Sequence, residues 1–259
     1  MRGLKSVLKK FRNPFIFALV LLPIGLIGGF FTSIYMAETY DPVMLSEMLA
    51  QAGIADITTL HIITAVQTAG QILLMGFFGY ILAEKTGLLK SFKISKSGLI
   101  PTIVLTVLGC IIFVGLEYGV YSNLISEIAA MYEQKPTLAY MISCLTYGGV
   151  LEEIMMRWFL MSLLTFIIWK LFFKNKQNVP NGVLIGVNIV VALLFAAGHL
   201  PTTAATMGIT PLILVRCFTL NSLAGLICGH LYIKHGIQYA MLSHAGFHIL
   251  WKIFWILFI

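Results

Sequence analysis

Two adjacent carboxylates, Glu152 and Glu153, stand inside the most apolar stretch of the chain, in the run Leu151-Glu-Glu-Ile-Met-Met-Arg157-Trp-Phe-Leu160. Moving a carboxylate out of water is expensive, so ionisable groups in such a setting usually face a polar interior and mark a working site. On a helix Glu153 and Arg157 are four apart and share a face, which lets the guanidinium hold Glu153 ionised. Glu152 is turned by about 100° from its neighbour and has no such local partner, which leaves it free to act as a general base. The competing reading is a buried ion pair with a second glutamate lining a polar cavity.

Histidine supplies the rest of the candidate chemistry. Phe195-Ala-Ala-Gly-His199 ends an apolar run and is followed by Pro201, so an imidazole sits where that helix stops. A neutral imidazole there can share a proton or orient water beside a carboxylate. His244-Ala-Gly-Phe-His248 sets two imidazoles on one helical face, with Gly246 allowing another helix to approach. The pair could bind a metal with Glu152 or His199, because histidines at this spacing suit zinc. It could instead donate hydrogen bonds to an oxyanion formed in amide hydrolysis.

Other intramembrane chemistries lack their parts. There is no His-Glu-x-x-His and no Gly-x-Ser-x-Gly, and the only aspartates, Asp41 and Asp56, lie outside the apolar runs. His61, His230 and His235 fall at helix ends near water and read as structural. Glu117 and Arg216 fall near helix ends and are expected to snorkel to the interface.

The elements that must position these residues follow from composition. The chain has 259 residues, of which 59% are hydrophobic and only 10% charged, and its mean hydropathy is +0.94. Such a chain is a polytopic membrane protein. Apolar runs near 14–36, 60–83, 97–121, 137–173, 181–199, 209–233 and 236–258 predict an all-α transmembrane bundle of seven to eight helices. The fourth run is too long for one crossing, since its residues would reach roughly 55 Å at about 1.5 Å each, and Gly148-Gly149 is the natural kink or break. Residues 1–136 then form helices without motif and 137–259 the motif-bearing core, within one continuous bundle.

Charge sets orientation. Arg2, Lys5, Lys9, Lys10 and Arg12, the Lys85–Lys96 segment, Lys170–Lys176 and Lys234 fall on one side; Glu38, Asp41, Glu47, Asp56, Glu127 and Glu133 fall on the other. The basic side is expected to be cytoplasmic, with the N-terminus inside. The net charge of +7 therefore belongs to topology and not to nucleic acid, and no nucleic-acid partner is expected. The run 14–35 is long for a signal sequence and reads as the first span. Cys110, Cys144, Cys217 and Cys228, each in an apolar segment without metal-ligand spacing, read as small buried hydrophobes.

In order, Glu152-Glu153-x-x-x-Arg157, Phe195-x-x-x-His199 and His244-x-x-x-His248 resemble the three motifs of the CPBP family, the CAAX proteases and bacteriocin-processing enzymes also called the Abi family. Gly225-Leu-Ile-Cys-Gly229-His-Leu-Tyr232 and Lys234-His-Gly236 resemble the stretch leading to the last motif, so the likeness covers roughly 137–252. It implies a bundle of about eight helices that hydrolyses a peptide bond with water held in an intramembrane cavity. It also implies Glu152 as general base, His199 as its partner on the water, Glu153 and Arg157 as the supporting pair, and His244 as oxyanion donor. The similar prenyl-protein protease reads as a metal-independent glutamate enzyme, so no cofactor and no metal is expected.

The last motif usually ends in Asn or Asp, and His248 stands there instead. Its imidazole can donate as Asn would, and it also admits a zinc shell of Glu152, His199, His244 and His248. The implied partners are a peptide or membrane-protein substrate and the lipid bilayer, in a bacterial plasma membrane. For Glu152, His199 and His244 to meet at one depth, the helices after Glu152 and before His199 must extend into the cytoplasm, with the cavity open to that side. Two further readings remain: a non-catalytic immunity or partner-binding protein, and a proton-coupled transporter, which lacks the expected inverted repeat.

Overall fold

Residues 2–259 are described by a computed structural model, and helices make up nearly all of them, with no strand among the described residues. The helices are α1 (Arg2–Thr39), α2 (Pro42–Gln51), α3 (Ile57–Thr86), α4 (Lys96–Glu117), α5 (Ser126–Tyr132), α6 (Leu138–Ser143), α7 (Ser162–Phe172), α8 (Asn181–Gly198), α9 (Leu200–Met207), α10 (Pro211–His235) and α11 (Ile237–Phe258). Seven helical stretches are long and apolar enough to cross a bilayer. Six coincide with the expected apolar runs to within a few residues and the fifth runs on to Met207, eight residues past its expected end; the chain is a multi-pass membrane protein.

The turns use the expected chemistry. The Asp41 carboxylate accepts from the Val43 and Met44 amides ahead of α2, with Pro42 in the first turn. Asp56 accepts from the Thr59 amide at the start of α3, a bond that holds this exposed carboxyl below its usual range. Gly236, at φ +111°, makes the bend between α10 and α11, where a Cβ would press on Lys90 and Gln238.

Lipid tails are as apolar as leucine, so what ties these helices together is close packing and polar bonds between them. Thr68 Oγ1 donates to Gly25 O at 2.7 Å, joining α3 to α1; Thr106 and Ser243 hydroxyls meet at 2.7 Å, joining α4 to α11; Ser162 and Tyr232 hydroxyls meet at 2.7 Å, joining α7 to α10. Large apolar side chains such as Val20, Ile111 and Leu171 remain exposed, as a lipid-facing surface requires.

Between α6 and α7 the helix does not break at Gly148-Gly149. It runs on through Cys144–Glu152 and Ile154–Met161 as π-helix, with wider i→i+5 turns. The expected kink is thus replaced by local unwinding. Such a turn reduces the angle between consecutive side chains; Glu152 ends the first stretch and Glu153 stands between the two.

Candidate active site

The site lies half-way along the bundle. Ser243, next to His244, bonds Thr106, which is ten residues from the start of α4 and eleven from its end, so about 15 Å of helix separates it from the basic end. Residues 163–172 of α7 continue past the level of Tyr232, as the Ser162–Tyr232 bond requires.

Glu153 is fully buried and is the anchor. Its Oε1 accepts from Arg157 Nη1 at 2.8 Å and from His244 Nδ1 at 2.7 Å. Arg157 is in turn fixed by a 3.0 Å bond from Nη2 to Gly225 O on α10 and by stacking over the Phe195 ring, 4.6 Å from its centroid. Phe195 therefore touches three of the candidates, since its ring also lies 4.6 Å from the His199 ring and 5.6 Å from the His244 ring.

Glu152 was expected to point away from Glu153. With π-helical turns on either side of Glu153 both serve one interior, and Glu152 Oε2 lies 3.8 Å from His244 Nε2. His244 thus stands between the two glutamates, one on each ring nitrogen. His199 Nδ1 lies 2.8 Å from Phe195 O; a carbonyl only accepts, so that nitrogen carries the proton, and in the neutral ring Nε2 keeps its lone pair.

His248 stacks on His244 with 5.1 Å between ring centroids, and its Nδ1 is buried without a partner. Both rings cross over Gly148, where a Cβ would sit 3.0 Å from His248 Nε2 and 3.7 Å from His244 Nε2. A Cβ there would have to push the His248 ring aside by a few tenths of an ångström.

Glu152, His199, His244 and His248 line a single cavity of about 280 Å³, room for several waters. Glu153 and Arg157 lie behind it. Thr32 and Tyr35 of α1 and Phe113 of α4 also line it, so the helices without motif contribute to its wall. Among the described residues, the three-donor set close enough for a metal is Glu153, Cys228 and His244, within 4.8 Å. It is not the shell of Glu152, His199, His244 and His248 that the sequence admits; in it Glu153 Oε1 is engaged by the Arg157 guanidinium and by His244, while Oε2 has no partner.

Two further features escaped the sequence reading. Glu117 and Arg216 do not snorkel; they form an ion pair across α4 and α10, with Glu117 fully buried and Arg216 lining the cavity. Lys252, one turn beyond His248, is 4% exposed, and its Nζ lies 4.1 Å from the Tyr140 ring centroid and 4.5 Å from that of Trp251, without a hydrogen-bond partner. A lysine at i+4 from His248 in an apolar helix was the available signal. The four cysteines are free and buried, as expected. His61 bonds Ser33 at 2.8 Å, tying α3 to α1.

Fold and site together define a polytopic helical membrane protein whose carboxylates and imidazoles line one cavity within the helical bundle. Residues 134–250, which include all six candidate residues, match the family described as type II CAAX prenyl endopeptidase, Rce1-like. The matched stretch is just under half of the chain and is consistent with a CPBP-family protease, a family of intramembrane hydrolases. No curated protein and no solved structure matches the chain.

Proposed function

We propose that the protein is a glutamate-type intramembrane endopeptidase, acting on a peptide or membrane-associated protein, in which Glu152 and His199 activate water. The observation that carries this reading is the meeting, in one cavity, of Glu152, which no basic side chain binds closely, with His199 and with a His244 ring locked by Glu153.

Water bound between Glu152 and the His199 Nε2 lone pair gives one proton to the Glu152 carboxylate while its oxygen attacks the carbonyl carbon of the scissile peptide bond. The carbonyl oxygen becomes an oxyanion, and the imidazoles of His244 and His248 donate to it. Collapse of the tetrahedral intermediate breaks the C–N bond, and the proton held by Glu152 passes to the leaving amine. The products are a carboxylic acid, which gives its proton to solvent, and an amine, and Glu152 returns to the carboxylate.

Because His244 Nδ1–H is held by Glu153, donation from Nε2 requires the imidazolium form. Glu153 and Glu152 flank that form with negative charge, and Arg157 offsets one of them. His248 fills the Asn position as a second donor. Its Nδ1 is buried without a partner, so the nitrogen left to meet substrate is Nε2.

The test is mass spectrometry of peptides released by membranes carrying wild type or Glu152→Gln, each with and without a strong chelator. The expected result is peptides lost in the variant and unaffected by chelation. Loss on chelation of the wild type would install a zinc mechanism, and an unchanged peptide set in Glu152→Gln would leave a non-catalytic immunity or partner-binding protein.

A further inference from the structure

Beyond the reaction itself, the cavity has a direction. On the acidic-loop side of Glu152 its wall is made by Thr32 and Tyr35 near the end of α1, Met131 in α5, Thr206 and Met207 in α9, and Arg216 near the start of α10. All these residues stand toward the loops that carry Glu38, Asp41, Glu47, Asp56, Glu127 and Glu133.

On the other side of the site the way is closed. Ile154, Trp158, Met161, Val187, Tyr232 and Ile237 form one buried apolar cluster between the glutamates and the basic loops, each at most 2% exposed. Trp158 is pinned by a 3.0 Å bond from its indole N–H to Gly76 O, and Tyr232 by Ser162. The hydroxyls of Ser162 and Tyr232 are spent on each other there. The sequence expectation of a cavity open toward the basic side is therefore reversed.

The loops on the sealed side carry Lys85, Lys90, Lys93, Lys96, Lys170, Lys174, Lys176 and Lys234 against the single acid Glu84; the opposite loops carry Lys135 alone against six acids. Lys and Arg within short loops fix the cytoplasmic side. We infer that the cavity takes its substrate from the non-cytoplasmic face of the membrane, so that the segment cleaved is a membrane-proximal stretch of an externally exposed or exported peptide or protein. A prenylated C-terminus is a cytoplasmic group and would meet the sealed face. This inference rests on the proposed reading of the site for what is cleaved, and on charge and packing alone for the side of entry.

Entry is tested by labelling single cysteines with a membrane-impermeant maleimide, in intact spheroplasts and in inverted vesicles of cells expressing the full chain. The four native cysteines are first replaced by Ala or Ser, because Cys144 itself lines the cavity. Thr202→Cys and, as a second position, Thr206→Cys report the cavity; Glu47→Cys and Lys93→Cys report the two faces. The expected result is labelling of positions 47, 202 and 206 in spheroplasts and of position 93 in inverted vesicles only. Labelling of 202 and 206 from the face that exposes position 93, labelling of 93 in spheroplasts, or protection of both cavity positions on both faces would each overturn the inference. Peptide release by wild type against Glu152→Gln is read separately in detergent-permeabilised membranes, where sidedness plays no part. Failure of the protease reading is thereby kept apart from failure of the entry reading.

Discussion

His244 and Glu153, 91 residues apart in sequence, are joined by a 2.7 Å bond between Nδ1 and Oε1, and the same oxygen accepts from Arg157. This bond links the last helix to the π-helical segment and fixes which ring nitrogen faces Glu152. Adjacent glutamates therefore carry different loads. Glu153 holds structure, whereas Glu152, with a side chain 20% exposed to the cavity, is free for chemistry.

The two glutamine variants separate these loads. Glu152→Gln is expected to lower peptide release by about 10²–10⁴-fold, the usual contribution of a general base, while leaving the thermal unfolding midpoint in detergent nearly unchanged. Glu153→Gln leaves the buried Arg157 without its counter-charge, which costs about 3–5 kcal/mol, so it is expected to lower both midpoint and activity. Equal losses of stability in the two variants would refute the division.

His248 offers a sharper test of the oxyanion assignment. An Asn in its place keeps a donor and removes an imidazole, so His248→Asn is expected to retain most activity. His248→Leu removes the donor, and one oxyanion donor is worth about 10²–10³-fold in turnover. Peptide release by the Leu variant at the wild-type rate would remove His248 from the reaction, and chelator sensitivity acquired or lost with the substitution would point to a metal ligand.

The sequence made some of this legible and hid the rest for physical reasons. Glu153 and Arg157 were readable as a pair because they lie four apart, and a helical turn of either width brings them together. The spans were readable because every one is an apolar run of sufficient length. The π-helix was not, since glycines permit a kink and an unwinding alike, and only packing of Gly149 against Ala245 and of Gly148 under two imidazoles decides between them. Nor were Thr32 and Tyr35, ordinary residues of a motif-free helix that acquire a role only because α1 packs beside the π-helical segment.

Gly148 can be probed through the ring it accommodates. A methyl group there would lie 3.0 Å from His248 Nε2, so the ring must swing. Gly148→Ala is expected to destabilise by about 1–3 kcal/mol, as overpacking does, and to reduce peptide release. Gly148→Ala combined with His248→Asn, whose side chain is shorter, should recover part of both. A double variant no better than the single one would show that the methyl group disturbs something other than the ring.

Glu117 and Arg216 lie 99 residues apart, and neither carried a motif. Their pairing makes a strong prediction, because Glu117 is wholly enclosed and the Arg216 side chain nearly so, at 12% exposure. Removing one partner of such a pair strands a charge and costs about 3–5 kcal/mol, whereas replacing both with apolar or neutral groups of similar size is often harmless. Glu117→Gln and Arg216→Met are each expected to lower the unfolding midpoint in detergent, and the double variant to lie close to wild type. The coupling read from that cycle isolates the pair from its surroundings. Additive losses would mean that the two residues act separately, with Arg216 held by the cavity lining and not by Glu117. Because Arg216 borders the cavity, the double variant also asks whether its charge matters to substrate: peptide release that falls while the midpoint is restored would assign the guanidinium to the entry path.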